Sequence, residues 1–208
     1  MFYFTHVASA DFAEQFEEFL ATLIAYLFGQ FVLNPTVNAI KDPLFQLCID
    51  LVKGNALTVS LDLTNEFRKN LSEAADGKIT RALILLHAYL NPSQAGLLPT
   101  NFEIEHIFPR KWQSTNYFGW TQEAAAASLD RFGNKVAIEK KLNIQAGNGY
   151  FGKKKEKYKP SLIADVQDLV RYPKEDWAEN DIEDREKRFL DDILQFVAAN
   201  LPSVARSS

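Results

Sequence analysis

The chain has 208 residues, of which 47% are hydrophobic and 24% are charged, a balance typical of a folded protein with one large domain or two small ones. Its only cysteine, Cys48, excludes an intrachain disulfide and a zinc ribbon built on paired cysteines, and it fits a reducing compartment. The net charge of −4 argues weakly against a nucleic-acid partner, so the distribution of the charge along the chain has to be considered.

The first 91 residues are predicted to be helical, with helices at about 12–33, 43–53, 64–77 and 78–90. Asn34-Pro35 ends the first of these helices, and Pro43 suits the first position of the second. Aromatic residues at helical spacing are most simply core residues. No ligand site is therefore expected in this part of the chain.

Membrane contact is not expected. The longest apolar run, residues 20–33, is interrupted by polar residues and is shorter than the about 18 residues that a membrane span needs. Residues 1–10 lack the basic start of a signal peptide. The sequence therefore predicts a cytoplasmic protein.

The composition of the sequence changes at residues 92–99, where two prolines and a glycine are typical of a linker. Alternating apolar and polar residues then predict strands at 102–107 and 135–139, separated by a helix that Thr121 caps. Further helices are predicted at 143–158, 161–171 and 176–201. The predicted domains are a helical region at 1–91, a core with C-terminal helices at 92–201 and a flexible tail at 202–208.

One group of residues in the second part carries chemistry. The first predicted strand contains Glu105-His106 near its end, and the second begins just after Asn134. Asn143 stands nine residues further on, where the next helix is expected to open. Two strands and a helix packed together would bring these four side chains to one point.

These residue types suit metal-assisted hydrolysis of a phosphodiester. Glu105 and the amide oxygen of Asn143 are the kind of oxygen ligand that Mg²⁺ prefers, and the cation would neutralise charge on the scissile phosphate. His106 would take a proton from the attacking water, because the ordinary pKa of histidine is about 6.5. Asn134 would either orient the imidazole or brace the loop.

Basic residues concentrate between residues 131 and 159. Nine lysines and arginines stand there against two glutamates, a net charge of +7, so the rest of the chain carries −11. One interpretation is a local site for a polyanion, and the other is a solvated lysine-rich helix. The candidate phosphate contacts are Arg110, Lys111, Lys153, Lys154, Lys155 and Lys157.

The motif at residues 105–109, Glu-His-Ile-Phe-Pro, resembles the (D/E)HIxP signature of HNH, or His-Me finger, nucleases. Asn134 and Asn143 resemble the two asparagines of that motif. The stretch at 78–196 is similar to the C-terminal HNH domain of GmrSD-type modification-dependent restriction enzymes and related phage-defence proteins. Downstream positions that match are Phe151, a lysine at 154 or 155, Tyr158, Ser161, Trp177, Ile182 and Arg185.

The resemblance implies a fold that is mainly α with a small β-hairpin, in which a helical region precedes a ββα-metal (HNH) nuclease core flanked by helices. It implies that His106 is the general base, that Glu105 and Asn143 bind Mg²⁺, with Mn²⁺ as the alternative, and that Asn134 supports them. The expected partner is DNA, including modified phage DNA. A nucleotide-hydrolysing N-terminal domain outside this chain is also implied, with residues 1–91 as its connection, and a homo-oligomer stays open.

Two other hypotheses compete with a metal-dependent DNA endonuclease. The first is a non-catalytic DNA-binding or interaction module on a decayed HNH fold. A binder needs the lysines but has no need of Glu105, so the retention of the acid together with His106 and both asparagines argues against it. The second, a purely structural helical domain, would make the ordered motif a coincidence. DNA and RNA are not distinguished by the sequence.

Overall fold

The computed structural model describes residues 8–55, 59, 61–63, 65–113, 117 and 119–201. Helices predominate among them, and two strands form an antiparallel hairpin, so the expected class of a mainly α protein with a small hairpin is confirmed. The described residues fall into two compact units, one of residues up to Leu71 together with those from Leu194 onward, the other Ser72–Ile193. The predicted domains stay a prediction, and the tail at 202–208 lies outside the described residues.

The first unit contains two long helices, α1 (Phe12–Leu33) and α2 (Val37–Lys53), followed by α3 (Asn65–Glu73), which crosses into the second unit. Helix α2 begins six residues before the predicted start at Pro43, because the Thr36 side chain accepts a hydrogen bond from the backbone of the third residue beyond it and caps the helix there. Pro43 lies inside the helix. The core of this unit gathers Tyr26, Leu47 and Val59, with Leu23, Leu61 and Leu201 packed against them.

Helix α1 is eight residues longer than the apolar run at 20–33 on which the expectation of no membrane contact rests. Within its 22 residues, an 18-residue window has a mean hydropathy of 1.4, so the helix is long and apolar enough to cross a membrane. This is weak support for a span, since core helices of soluble proteins have the same length and composition.

The second unit holds the hairpin, several short helices and most of one long helix. Its elements in chain order are a 3₁₀ turn at Ala74–Asp76, α4 (Thr80–Leu90), β1 (Phe102–His106), α5 (Gln122–Ser128), a 3₁₀ turn at Phe132–Asn134, β2 (Lys135–Glu139), α6 (Lys140–Ala146), α7 (Phe151–Tyr158), α8 (Ala164–Arg171) and α9 (Glu179–Asn200), the last of which continues into the first unit. Strand β2 has the predicted bounds, and β1 is one residue shorter than predicted.

The two strands pair antiparallel, with Phe102 opposite Glu139 at one end and His106 opposite Lys135 at the other. The chain between them forms α5, which Thr121 caps as predicted, its hydroxyl accepting a hydrogen bond from the Ala124 amide. Strand β2 is buried along most of its length, so this strand of the hairpin is fixed in the core of the second unit.

The single helix predicted over 143–158 is two helices. Helix α6 follows β2 directly and ends at Gly147, whose φ of 51° places it in the left-handed region that glycine adopts most readily. Helix α7 begins four residues later, at Phe151. The basic segment therefore does not form one continuous helix, and the break allows α6 and α7 to pack against each other.

Candidate active site

A cleft of about 540 Å³ opens at the end of β1, and we call it the hairpin cleft. Three of the four residues predicted to be catalytic or to bind metal line it together: Glu105 and His106 from β1 and Asn143 from α6. Arg110, in the loop after β1, and Lys154, from α7, also line it. The order of elements along the chain thus brings a carboxylate, an imidazole and an amide to one concavity.

His106 is the last residue of β1, and its side chain is 12% exposed. Its Nε2 atom lies 3.3 Å from Oδ1 of Asp130, which follows α5. Burial lowers the pKa of His106 to about 4, an effect that Asp130 opposes and that the charges of Arg110 and Lys135 reinforce. The ring is therefore neutral at physiological pH and has a lone pair available for a proton.

Glu105 is buried, with 5% of its surface exposed, and its Oε1 atom is bonded twice. Lys154 Nζ lies 2.6 Å from it, and the Tyr158 hydroxyl donates to it at 2.8 Å. Burial raises the pKa of Glu105, whereas attraction to Lys154 works against the shift. Both bonds use Oε1, so within the part of the chain that the structure describes no side chain donates to Oε2.

Lys154 also donates to the backbone carbonyl of His106, at 2.6 Å, so its ammonium joins the two residues of the motif. Only 1% of the lysine is exposed. Burial lowers its pKa, and Glu105 works against that shift. Lys154 thus has a charged partner and a backbone acceptor inside the protein, which is a different environment from that of a lysine exposed to a phosphate.

Asn143 lies in the second turn of α6, and its side chain makes no hydrogen bond to any described residue. A metal ion at this place could be held by the amide oxygen and by Oε2 of Glu105. The described residues contain no cluster of three or more His, Cys, Asp or Glu side chains placed to hold a metal ion. The donor set is compatible with Mg²⁺, which commonly keeps several waters and takes only one or two protein carboxylates.

Asn134 is fully buried just before β2 and does not line the hairpin cleft. Its side-chain oxygen accepts from the Phe108 amide at 2.6 Å, and its nitrogen donates to the carbonyls of Phe108 and Leu129. The backbone carbonyl of Asn134 also accepts from the Ile107 amide at 2.9 Å. Of the two expected roles, the geometry matches bracing of the loop that follows His106.

Helix α9 holds the turn that carries Asn134. Arg185 donates from one guanidinium nitrogen to the carbonyls of Phe132, Gly133 and Lys135, at 2.7–3.2 Å. A Cβ on Gly133 would overlap the backbone of Ile182, so only glycine allows this approach. Ile182 and Arg185, which match the related family at the sequence level, therefore act by placing the start of β2.

The lysines of α7 divide between surface and interior. Lys153 and Lys157 are exposed, one helical turn apart, and do not line the hairpin cleft. Lys155 is buried like Lys154, and its ammonium bonds the carboxylate of Glu175 at 2.6 Å and two backbone carbonyls. The net charge of the segment at 131–159 thus overstates the free positive charge that this helix offers to a ligand.

The exposed cations at the cleft come from other elements. Arg110 and Lys111 are exposed after β1, and Arg110 lines the hairpin cleft while Lys111 does not. Lys78 and Arg81, at the start of α4, are exposed and line it as well. Sequence reasoning missed these two, because the helical half of the chain carried no pattern that distinguished them from ordinary surface residues.

Asp130, Lys135 and Tyr158 are further contacts of the motif that the sequence did not point to as site residues. Lys135 is buried, 3.1 Å from Asp130 and 2.7 Å from the Ala75 carbonyl, so its ammonium has a charged partner and a backbone acceptor inside the protein. Of these three, only Tyr158 carried a usable signal in the sequence, as one of the positions that match the related family.

A family model for the C-terminal domain of GmrSD restriction endonucleases matches residues 58–192, which is more than half of the chain. The chain belongs to this family. The resemblance of residues 78–196 to the C-terminal domain of GmrSD-type restriction enzymes is thereby confirmed, and the chain is placed among the nuclease domains of restriction enzymes. Neither the curated proteins nor the solved structures contain a match to it.

Proposed function

We propose that this GmrSD C-terminal domain is a metal-dependent endonuclease that hydrolyses DNA phosphodiester bonds as the nuclease part of a restriction or phage-defence protein. The observation that carries the proposal is the hairpin cleft, which gathers Glu105, His106 and Asn143. The hairpin followed directly by α6 would be the ββα core of an HNH nuclease.

His106 is the proposed general base. Its ring is neutral at physiological pH, since burial lowers its pKa to about 4. A neutral imidazole at the wall of the cleft can accept the proton of a water that attacks a phosphate. Asn134 supports this step by fixing the loop that begins directly after His106.

Glu105 and Asn143 are the proposed ligands of the divalent cation, Mg²⁺ or alternatively Mn²⁺. When bound, the cation would neutralise charge on the scissile phosphate and the leaving oxygen. Lys154 and Tyr158 hold one carboxylate oxygen of Glu105 in place, and the other oxygen is the one that we propose binds the cation. The free amide of Asn143 can present its oxygen to the same cleft.

The proposed substrate grip uses exposed cations. Arg110, Lys78 and Arg81 line the hairpin cleft, where they would contact the phosphate that is cleaved. The exposed residues Lys111, Lys153 and Lys157 would contact flanking phosphates. Of the two buried lysines that are also candidates from the sequence, Lys154 contributes by holding Glu105 and the His106 backbone. Lys155 is bonded to Glu175 and to two backbone carbonyls away from the cleft, so we assign it no phosphate contact. DNA is the substrate expected of a restriction endonuclease family.

The setting of the domain is part of the proposal. We place it in the cytoplasm, without membrane contact, in a longer protein whose N-terminal domain hydrolyses nucleotide. Residues 1–91 would form the helical connection between that domain and the nuclease core at 92–201. A homo-oligomer is compatible with this arrangement.

The proposal is tested by nicking of supercoiled plasmid DNA by the purified chain with Mg²⁺ or Mn²⁺ and with EDTA. Nicking with metal that EDTA abolishes is expected, and His106→Ala should reduce it by roughly 10²–10⁴-fold while DNA binding persists. Asn143→Ala should weaken metal-dependent nicking, whereas Gln145→Ala, an amide truncated on the exposed side of the same helix, should not. Full activity of His106→Ala would refute the assignment.

One observation favours a non-catalytic DNA-binding module as the alternative. The ion pair between Glu105 and Lys154 already gives the carboxylate a structural partner, so the acid could be retained for stability alone. A chain that binds plasmid DNA with a clear salt dependence, and leaves it uncut with either metal, would support this alternative and contradict the endonuclease.

A further inference from the structure

Asp130 approaches the imidazole of His106 from an element remote in sequence. The aspartate lies between α5 and the 3₁₀ turn, 24 residues after His106, and its Oδ1 atom is 3.3 Å from Nε2 of the ring. This contact involves the nitrogen at the far end of the ring from the backbone. It leaves Nδ1, on the other side of the ring, as the remaining site for a proton.

Two cations hold Asp130 in this position. Lys135, which pairs with His106 across the hairpin, places Nζ 3.1 Å from the same Oδ1 atom, and Arg110 lies 3.8 Å from it. Lys135 is itself buried and anchored on the Ala75 carbonyl. The Oδ1 atom of Asp130 is thus held by His106 at the end of β1, by Lys135 at the start of β2 and by Arg110, although the aspartate side chain is 41% exposed.

The charge state of Asp130 determines what it can do to the ring. Burial raises its pKa, but hydrogen bonds from Lys135 and His106 outweigh this and leave the pKa below its ordinary value. An ionised carboxylate only accepts hydrogen bonds. A neutral imidazole bonded to it through Nε2 must therefore carry its proton on Nε2 and its lone pair on Nδ1.

We propose that Asp130 is a positioning residue for His106, which fixes the imidazole in the Nε2-protonated tautomer and presents Nδ1 to the attacking water in the hairpin cleft. The proposal rests on the proposed nuclease function for its purpose. The tautomer itself is a property of the resting protein and can be measured without any substrate.

The first test is the ring tautomer of His106, read from long-range ¹H–¹⁵N correlations of the full chain at neutral pH. The chain has three histidines, so the signals of His106 are assigned by their loss in His106→Ala. The Nε2-protonated form is expected in the wild type. An Nδ1-protonated ring in the wild type would overturn the proposal, whatever the activity of the protein.

Variants of the aspartate give the second test. Asp130→Ala removes the acceptor, so His106 should populate both tautomers, whereas Asp130→Asn keeps an oxygen acceptor and should retain most of the Nε2-protonated form. Asp165→Asn is the matched control, because Asp165 contacts His87 and should alter the His87 signals alone. An Asp130→Ala protein with an unchanged His106 tautomer would contradict the proposal.

Kinetics separate the positioning role from the proposed function. In Asp130→Ala, kcat for plasmid nicking should fall by at least roughly 10-fold and by no more than about 10⁴-fold, the upper end of what a general base contributes, with KM nearly unchanged. Asp130→Asn should recover part of the loss. An Asp130 variant in which only KM rises would contradict the positioning role. A wild-type protein that does not cut DNA would contradict the proposed nuclease function, and the tautomer measurement would then be the test of the role of Asp130.

Discussion

Asn134 and Phe108 are joined through both halves of the asparagine amide. The Phe108 amide donates to Oδ1 at 2.6 Å, and Nδ2 donates back to the Phe108 carbonyl at 3.0 Å. This reciprocal pair ties the residue before β2 to the second residue after His106, so the loop leaving the motif cannot move independently of the hairpin. The asparagine therefore has a structural role that does not depend on any part in the chemistry.

Asn134→Ala should destabilise the protein strongly. The change leaves the Phe108 amide and two backbone carbonyls without their bonds in a fully buried place, at about 1–3 kcal/mol for each buried group left unpaired. Urea unfolding followed by near-UV circular dichroism, which reports the aromatic residues around Phe108, measures the loss. Asn148→Ala, an exposed asparagine, is the control, and equal stability of the two variants would contradict the bracing role.

The parts of the fold that could be predicted from the sequence rest on local signals. The alternation at 102–107 and the glycine-asparagine before 135 gave strands close to those observed, and Thr121 caps the intervening helix as expected. The convergence of Glu105, His106 and Asn143 followed from the order of the elements, because a hairpin followed by a helix has few ways to pack.

The remaining features depend on contacts between distant residues. Nothing in a run of three lysines distinguishes Lys154, whose partner Glu105 is 49 residues away, from Lys153, which is exposed. Asp130 has no local pattern at all, since its role comes from the register that sets His106 opposite Lys135. The sequence predicts too late a start for α2, because Pro43 suits the first position of a helix. In the structure the helix begins earlier and contains Pro43 in its interior.

Lys154→Ala should cost far more stability than Lys153→Ala. Removing the ammonium leaves the Glu105 carboxylate buried without its ionic partner, a change that typically costs about 3–5 kcal/mol. Lys153 is exposed, so its truncation should change the free energy of unfolding by no more than about 0.5 kcal/mol. Chemical denaturation of both variants measures the difference, and similar midpoints would show that the ion pair contributes little.

The network around Asp165 should make the stability of the protein fall in acid. Asp165 accepts from His87 at 2.8 Å and from Asn91 at 2.7 Å. Burial raises its pKa, but the His87 bond and charge and the charge of Arg185 outweigh this and leave the pKa below its ordinary value. Because the folded pKa is lower than the unfolded one, the stabilisation is fully present above the unfolded pKa, about 3.9, and is lost as the pH falls through the folded pKa.

Asp165→Asn lacks this contribution, so the difference in unfolding free energy between wild type and variant should be constant near neutral pH and narrow below about pH 4. Thermal or urea unfolding at a series of pH values measures it. The same comparison in a His87→Gln background should give a smaller pH-dependent difference, because His87 is the first of the groups that lower the pKa. A difference that widens in acid would have the wrong sign.

The exposed lysines of α7 should contact DNA through its phosphates alone. Each phosphate contact releases counterions, so the logarithm of the affinity for duplex DNA falls with the logarithm of the salt concentration by about 0.9 for each contact. Lys153→Ala/Lys157→Ala should therefore flatten the slope by up to about 1.8 and weaken binding to every sequence alike, because these residues read no bases.

The control for this pair is Lys140→Ala/Lys141→Ala, which removes the same charge from exposed positions at the start of α6. If Lys153 and Lys157 contact DNA phosphates directly, their double variant should flatten the slope more than the α6 variant. The loss of net charge is the same in both variants and would by itself affect both slopes equally. Salt titrations of DNA binding by fluorescence anisotropy compare the slopes. An α7 variant with the wild-type slope would mean that these lysines are merely solvated, and Arg110 with Lys111 would be the next pair to exchange, because they follow the motif directly and are exposed.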